Sequence, residues 1–235
     1  MLRAIIFDFD GVIADTEPLH FHGFRDVLAT IGISLTEHDY YANYLGFDDR
    51  GAFQAALAAQ GRPAPAETVA ALMQQKAVAY LDAVRNHITI FPGVEMLVRT
   101  AADRFPLAIA SGALRGEIEL ILTVAGLRSC FRHITSAEDV SRGKPHPECF
   151  QLALHALNSA RPASHIKAAD CLVIEDSLPG IRGARAAGMK VLAVANTHTI
   201  QELGEADAIA HSLAEVSLAE LNRRLWKSAG EDITS

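Results

Sequence analysis

Cysteine is scarce and poorly placed to staple the chain. Cys130, Cys149 and Cys171 are the three present in 235 residues, with no CxxC pair and no Cys/His spacing, which argues against a disulfide scaffold or structural zinc. Long apolar runs are also missing: no stretch approaches 18 residues, and Asp8 and Asp10 arrive too early for the apolar region of a signal peptide. The expectation is a cytoplasmic chain with no membrane contact. A cationic excess is lacking as well, with 21 Lys and Arg against 28 Asp and Glu for a formal net charge of −7, so there is no electrostatic footprint for nucleic acid. No internal repeat, low-complexity tract or heptad array occurs. With 50% hydrophobic and 21% charged residues, the composition excludes a mainly disordered chain, and the length admits one large domain or a main domain with an insert.

Alanine is abundant, 40 of the 235 residues. Much of it lies where Leu, Val and Ile recur at helical spacing, so helix should dominate. Short apolar runs stand out against that background: Ala4 to Phe7, Leu107 to Ala110, Cys171 to Ile174 and Val191 to Val194, with weaker ones at His133 to Thr135 and Asp207 to Ala210. Continuous runs of this length suit strands covered on both faces. Helical patterns at Arg115 to Ala125, Pro147 to Leu157 and Pro179 to Ala187 separate the later runs. The alternation predicts an α/β fold, a Rossmann-like parallel sheet. Residues 15–87 break it with four helical candidates and no convincing strand; Thr36, Asp48 or Asp49, and Pro63 to Pro65 supply starts and breaks. The reading is an all-helical insert, 15–87, placed after the first strand of a core formed by 1–14 and 88–235.

The chemistry-bearing residues follow the apolar runs. Asp8 and Asp10 end the first, with Phe9 between and Gly11 after, and ligands of open parallel sheets bind beyond the carboxyl ends of strands. Two carboxylates one residue apart on extended chain project to the same side; without a cation they repel, and a hard divalent metal resolves the conflict. Glu175-Asp176 ends another run, followed by Ser177, Pro179 and Gly180. If the two strands are neighbours, their acids converge on Mg²⁺, which takes oxygen ligands. One of Glu175 and Asp176 should ligate directly and the other hold a metal-bound water. Ser111-Gly112 closes the Leu107 to Ala110 run, and a small hydroxyl with exposed N–H groups before a helix is a phosphate cradle; the same pair also serves simply as a helix cap. Lys144 sits in Arg-Gly-Lys-Pro-His-Pro, either a solvated loop lysine or a fourth corner of the site. Carboxylate nucleophile, second carboxyl, divalent cation, hydroxyl and ammonium are together what phosphoryl transfer needs.

Four motifs in order, Phe7-Asp8-Phe9-Asp10-Gly11-Val12, Ser111-Gly112, Gly143-Lys144-Pro145 and Ile174-Glu175-Asp176-Ser177, resemble the haloacid dehalogenase superfamily, in its branch with a helical cap after the first strand. The resemblance spans nearly the whole chain. It implies Asp8 as the nucleophile that becomes phosphorylated, and Asp10 as general acid/base that also offers its backbone carbonyl to Mg²⁺. Ser111, Gly112 and Lys144 would bind the phosphoryl group, Lys144 also pairing with Asp8. Asp176 would be the side-chain metal ligand, with Glu175 assisting. Acids at both Asp8 and Asp10 favour phosphoryl transfer over dehalogenation.

The insert opens with Asp15-Thr16-Glu17-Pro18-Leu19-His20, which resembles the segment that in this branch forms the first hinge and the entrance to the site; the resemblance makes Glu17 and His20 candidates for substrate contact, although an isolated His20 is more often a surface or satisfied polar residue than a catalytic one. Gly46-Phe47-Asp48-Asp49-Arg50 resembles the substrate loop of β-phosphoglucomutase and similar phosphatases, with Arg50 at the matching place; Lys76 falls near a cap lysine of that mutase and reads equally as a solvated helix lysine. The implied activity is a Mg²⁺-dependent phosphatase acting on a small phosphorylated metabolite, with sugar phosphates leading. A β-phosphoglucomutase-like mutase is the alternative, weakened by Glu17-Pro18 and the Gly-Phe-Asp-Asp loop. A non-catalytic regulatory member of the fold is the third, and no catalytic corner is lost to favour it. A monomer is the default expectation.

Overall fold

The computed structural model describes residues 1–44, 47, 49–160 and 165–226. In chain order the strands are β1 (Ala4–Phe7), β2 (Ala14–Asp15), β3 (Thr89–Ile90), β4 (Leu107–Ala110), β5 (Phe131–Thr135), β6 (Cys171–Glu175), β7 (Lys190–Val194) and β8 (Ala208–Ala210). The helices are α1 (Glu17–Thr30), α2 (Glu37–Asn43), α3 (Asp49–Ala59), α4 (Ala66–His87), α5 (Val94–Ala102), α6 (Arg115–Val124), α7 (Glu148–Ser159), α8 (Leu178–Ala186) and α9 (Leu218–Leu225). Two compact units result: Met1–Asp15 with Thr89–Ser235, and Thr16–Ile88.

The first unit is built on an all-parallel six-stranded sheet in the order β5-β4-β1-β6-β7-β8. This is the Rossmann-like α/β fold. β1, β4 and β6 are buried along their whole length, which is why their sequences are continuous apolar runs rather than alternating ones. On one face Ile6, Ala108, Val173 and Val191 pack with Cys149, Phe150 and Leu157 of α7 and with Ile181 and Ala184 of α8. Parallel register aligns Phe7 of β1 with Ile109 of β4 and Ile174 of β6. The residues that follow these strands therefore emerge side by side at one edge. β1 lies between strands reached by connections running in opposite directions, the crevice position for ligands in open α/β sheets. β2 and β3 form a separate antiparallel ribbon, Ala14 opposite Ile90 and Asp15 opposite Thr89; at two residues each they carry no periodicity from which to predict them.

The second unit is helical: α1 to α4 surround a core of Phe21, Phe24, Leu28, Tyr40, Phe53, Leu57, Val69 and Leu72. α2 starts where Thr36 accepts a hydrogen bond from the Asp39 N–H (3.1 Å), an ordinary N-cap. Pro18 lies in the first turn of α1, where its missing N–H costs nothing, and the extended backbone of Pro65 sets the start of α4. Among the described residues no helix is long and apolar enough to cross a membrane. Phe53 is fully buried and meets Phe24 edge-on, ring centroids 4.9 Å apart. Phe53→Ala is expected to destabilise the helical unit by about 3–5 kcal/mol, read as a lower urea-unfolding midpoint.

Candidate active site

Asp8 follows β1, and its N–H donates to the Ile174 carbonyl (2.9 Å), extending the β1–β6 ladder by one step. Asp176 follows β6 in the same way, so parallel pairing brings the two acids together. Ligand oxygens of Asp8, Glu175 and Asp176 all lie within 4.8 Å of one another, and all three residues are buried. Lys144 reaches them from the loop before α7: its Nζ is 2.7 Å from Asp8 Oδ1 and 2.6 Å from Glu175 Oε1. The Phe150 ring lies 5.2 Å from that ammonium, a cation–π contact. The loop itself is tied down by Glu148, at the start of α7, whose carboxylate accepts the N–H groups of Ser141 (3.0 Å) and Arg142 (3.1 Å).

Glu175 is fully buried and well supplied with hydrogen-bond donors. Its Oε2 accepts from the N–H groups of Asp176 and Ser177 (both 2.8 Å) and from the Ser177 hydroxyl (2.9 Å), while Oε1 takes Lys144. Its main work is to orient Lys144 and shape the turn. The turn closes only because residue 180 is glycine: a Cβ there would fall 1.6 Å from Glu175 Oε1. Asp176 accepts a hydrogen bond at Oδ2 from the Thr197 hydroxyl. Gly11 makes the matching approach from the β1 side, where φ is +75° and a Cβ would lie 2.0 Å from Asp176 Oδ2. Asp10, half-buried, immediately precedes this turn.

Among the described residues, two of these buried carboxylates, Asp8 and Glu175, thus share the Lys144 ammonium, and the third, Asp176, lies alongside. Burial, helped by Glu175 and Asp176, pushes the Asp8 carboxyl well above the usual carboxylate range, against the opposing pull of Lys144. Burial and then Glu175 raise Asp176 to about 6. Burial works against the charged form of Lys144, but Asp8 and Glu175 outweigh it and hold the ammonium protonated. The cluster is short of positive charge, and its donors are all oxygens. Mg²⁺ fits both facts, with the carboxylates of Asp8, Asp176 and Glu175 as the oxygens that could hold it, Glu175 being also engaged with Lys144 and the turn.

Ser111 is buried after β4; its N–H donates to the Thr135 carbonyl (3.0 Å) and its Oγ accepts from the Ala113 N–H (3.0 Å). The hydroxyl therefore caps its own turn and keeps its proton available to donate. Gly112 beside it is exposed.

The insert residues are placed differently. Lys76 is 1% exposed; its ammonium pairs with Asp49, lies 2.9 Å from His20 Nδ1 and sits 4.0 Å from the centroid of Phe24. His20 also stacks on Tyr80, centroids 4.6 Å apart. His20 and Lys76, 56 positions apart, thus join in one part-buried cluster of the helical unit together with Asp49. Glu17 accepts the Tyr40 hydroxyl (2.9 Å), and Arg50 is exposed. Gly46 and Asp48 of the substrate-loop motif lie outside the described residues. Sequence reasoning missed Asn196, Thr197 and His198, which follow β7; the apolar run ending at Val194 marks another strand delivering polar residues to the same edge.

A family model described as haloacid dehalogenase-like hydrolase matches residues 5–194. The chain belongs to the haloacid dehalogenase-like hydrolases. The match takes in the segments carrying Asp8, Ser111, Lys144 and Asp176 and stops at the end of β7. Among relatives of this hydrolase, fructose-1-phosphate phosphatase YqaB of Escherichia coli is 30% identical over 202 residues, 81% of this chain and 95% of that protein. Protein CbbY of Rhodobacter capsulatus is 29% identical over 207 residues, 84% and 87% of the two chains. A crystal structure of CbbY from Rhodobacter sphaeroides in complex with xylulose-(1,5)bisphosphate superposes with a TM-score of 0.79 at 27% identity, covering 94% of this chain and 99% of that one.

The His20 cluster gives the helical unit a pH dependence. Burial and then the Lys76 charge lower the imidazole pKa from 6.5 to about 3. Above pH 6.5 neither the folded nor the unfolded state protonates it. As pH falls from 6.5 toward 3, the unfolded chain takes up a proton that the folded unit refuses, so stability falls by up to about 1.4 kcal/mol per pH unit. Urea unfolding at pH 7, 5.5 and 4.5 should show this loss in the wild-type chain, and His20→Gln should lose less over the same interval.

Proposed function

We propose that this hydrolase is a Mg²⁺-dependent phosphatase of small phosphorylated metabolites, with sugar phosphates the leading class, working through an aspartyl phosphate on Asp8. The observation that carries this reading is the Asp8–Lys144 pair at 2.7 Å inside a buried, cation-deficient acid cluster. The substrates named for the relatives, fructose 1-phosphate for YqaB and a bound xylulose bisphosphate for CbbY, support the sugar-phosphate class.

Bound Mg²⁺, held by Asp8 and Asp176 with the Asp10 carbonyl as the further candidate ligand, would supply the charge that lets an anionic nucleophile approach an anionic phosphate. Lys144 holds the Asp8 carboxylate in place and faces the phosphoryl oxygens; the Ser111 hydroxyl donates to one of them. An Asp8 carboxylate oxygen forms a bond to phosphorus as the ester P–O bond breaks, and the departing alkoxide takes the proton of the Asp10 carboxyl. Asp10, now a carboxylate, accepts a proton from water; the new water-derived oxygen bonds to phosphorus, the Asp8–phosphorus bond breaks and inorganic phosphate leaves. In the helical unit the exposed Arg50 is the proposed partner of an anionic substrate, and Lys76 is paired with Asp49. Glu17, His20 and Arg50 are the proposed specificity residues of a cap formed by that unit.

A panel of sugar monophosphates and bisphosphates, assayed for released phosphate with Mg²⁺ and after chelation with EDTA, tests the reading. Turnover that vanishes with EDTA, returns with Mg²⁺ and falls by at least about 10³-fold in Asp8→Asn with the fold preserved by circular dichroism is the expected result. Activity retained by Asp8→Asn, or undiminished by chelation, would count against the mechanism. Rapid conversion of β-glucose 1-phosphate to glucose 6-phosphate with little free phosphate would replace it with the mutase.

A further inference from the structure

The tripeptide Asn196-Thr197-His198, beyond the family match, turns back onto the acid cluster from the end of β7. Asn196 Nδ2 donates to the Gly11 carbonyl (2.7 Å), clamping the turn that follows Asp10. The Thr197 hydroxyl donates to Asp176 Oδ2, and His198 Nδ1 lies 2.9 Å from the same hydroxyl oxygen. A threonine hydroxyl has one proton. With that proton committed to the carboxylate, the bond from His198 has Nδ1–H as donor and Thr197 Oγ1 as acceptor, which fixes the imidazole tautomer. The donors run in one direction, imidazole to hydroxyl to carboxylate, and each polarises the next.

We infer that Thr197 and His198 are positioning residues that set the orientation of Asp176 for a divalent cation. The terminal torsion of an aspartate is broad and nearly two-fold, so a buried carboxylate with one oxygen untethered can turn. Here Oδ2 is pinned between the Thr197 hydroxyl and the bare Cα of Gly11, which has no room for a Cβ. Pinning that oxygen aims the other. The neighbouring Glu175 carboxylate has no proton to donate to that oxygen; it accepts from Lys144, Ser177 and the turn N–H groups. The same tripeptide thus fixes both banks of the site, the Asp10–Gly11 turn through Asn196 and Asp176 through Thr197. This rests on Asp176 being a metal ligand, as in the proposed function.

Isothermal titration of the full chain with Mg²⁺, without substrate, tests it. Thr197→Val, which keeps the shape and removes the donor, should weaken Mg²⁺ binding by about ten-fold or more, as loss of an outer-shell partner does elsewhere. Thr197→Ser should restore affinity close to wild type, and His198→Ala should show a smaller loss. The thermal midpoint of Thr197→Val in EDTA should match wild type, since the role is orientation and not packing. Equal Mg²⁺ affinity in wild type and Thr197→Val overturns the inference while leaving the phosphatase reading intact. A drop in the EDTA midpoint that accounts for the lost affinity also overturns it, by making Thr197 merely structural. A wild-type chain that binds no Mg²⁺ overturns both.

Discussion

A single ammonium held between two buried carboxylates, with a third alongside, is the constraint on which the carboxyl edge of the sheet depends. Among the described residues, Lys144 is the cation paired with Asp8 and Glu175, and Asp176 adds a further acid in the same buried volume. A buried pair is costly to break because the surviving partner is left uncompensated, so the loop bearing Lys144 has to be rigid. Glu148 supplies that rigidity by gathering two backbone N–H groups. The glycines at 11 and 180 follow from the same constraint, since each lets backbone approach a carboxylate more closely than any side chain would permit. The deficit of positive charge that remains favours a cation beside these acids.

The helical unit solves a similar problem in a different way. Its buried ammonium, Lys76, is neutralised within the unit by Asp49, steadied by His20 and laid against the face of Phe24. A charge so fully satisfied contributes to the architecture of the helices. The exposed Arg50, next in sequence to Asp49, is left with the opposite character.

The sheet was legible in the sequence because strands buried on both faces read as unbroken apolar runs: β1, β4, β6 and β7 all stand out, and the weaker β5 and β8 follow the alternation. The acids at 8, 10, 175 and 176 were legible because they end those runs. Other features left no mark. β2 and β3 are too short for any period, and α5 was not distinguished from the turn at Pro92-Gly93. The pairing of Lys76 with Asp49 and His20 depends on helix packing across 27 and 56 positions, and a lysine on a predicted helix reads as solvated until its burial is known. Asn196, Thr197 and His198 form an ordinary polar loop in one dimension; their contacts with Gly11 and Asp176 exist because β7 lies beside β6 and β6 beside β1.

The two-residue ribbon of β2 and β3 has a consequence out of proportion to its size. Because Ala14 faces Ile90 and Asp15 faces Thr89, the polypeptide departs from the sheet unit and re-enters it at adjoining points. To the sheet, the 73 residues of Thr16–Ile88 amount to a loop whose ends are already joined. Closing such a loop costs free energy that grows only with the logarithm of its length. Evolution is therefore free to lengthen, shorten or exchange everything beyond the ribbon while the acid cluster keeps its geometry.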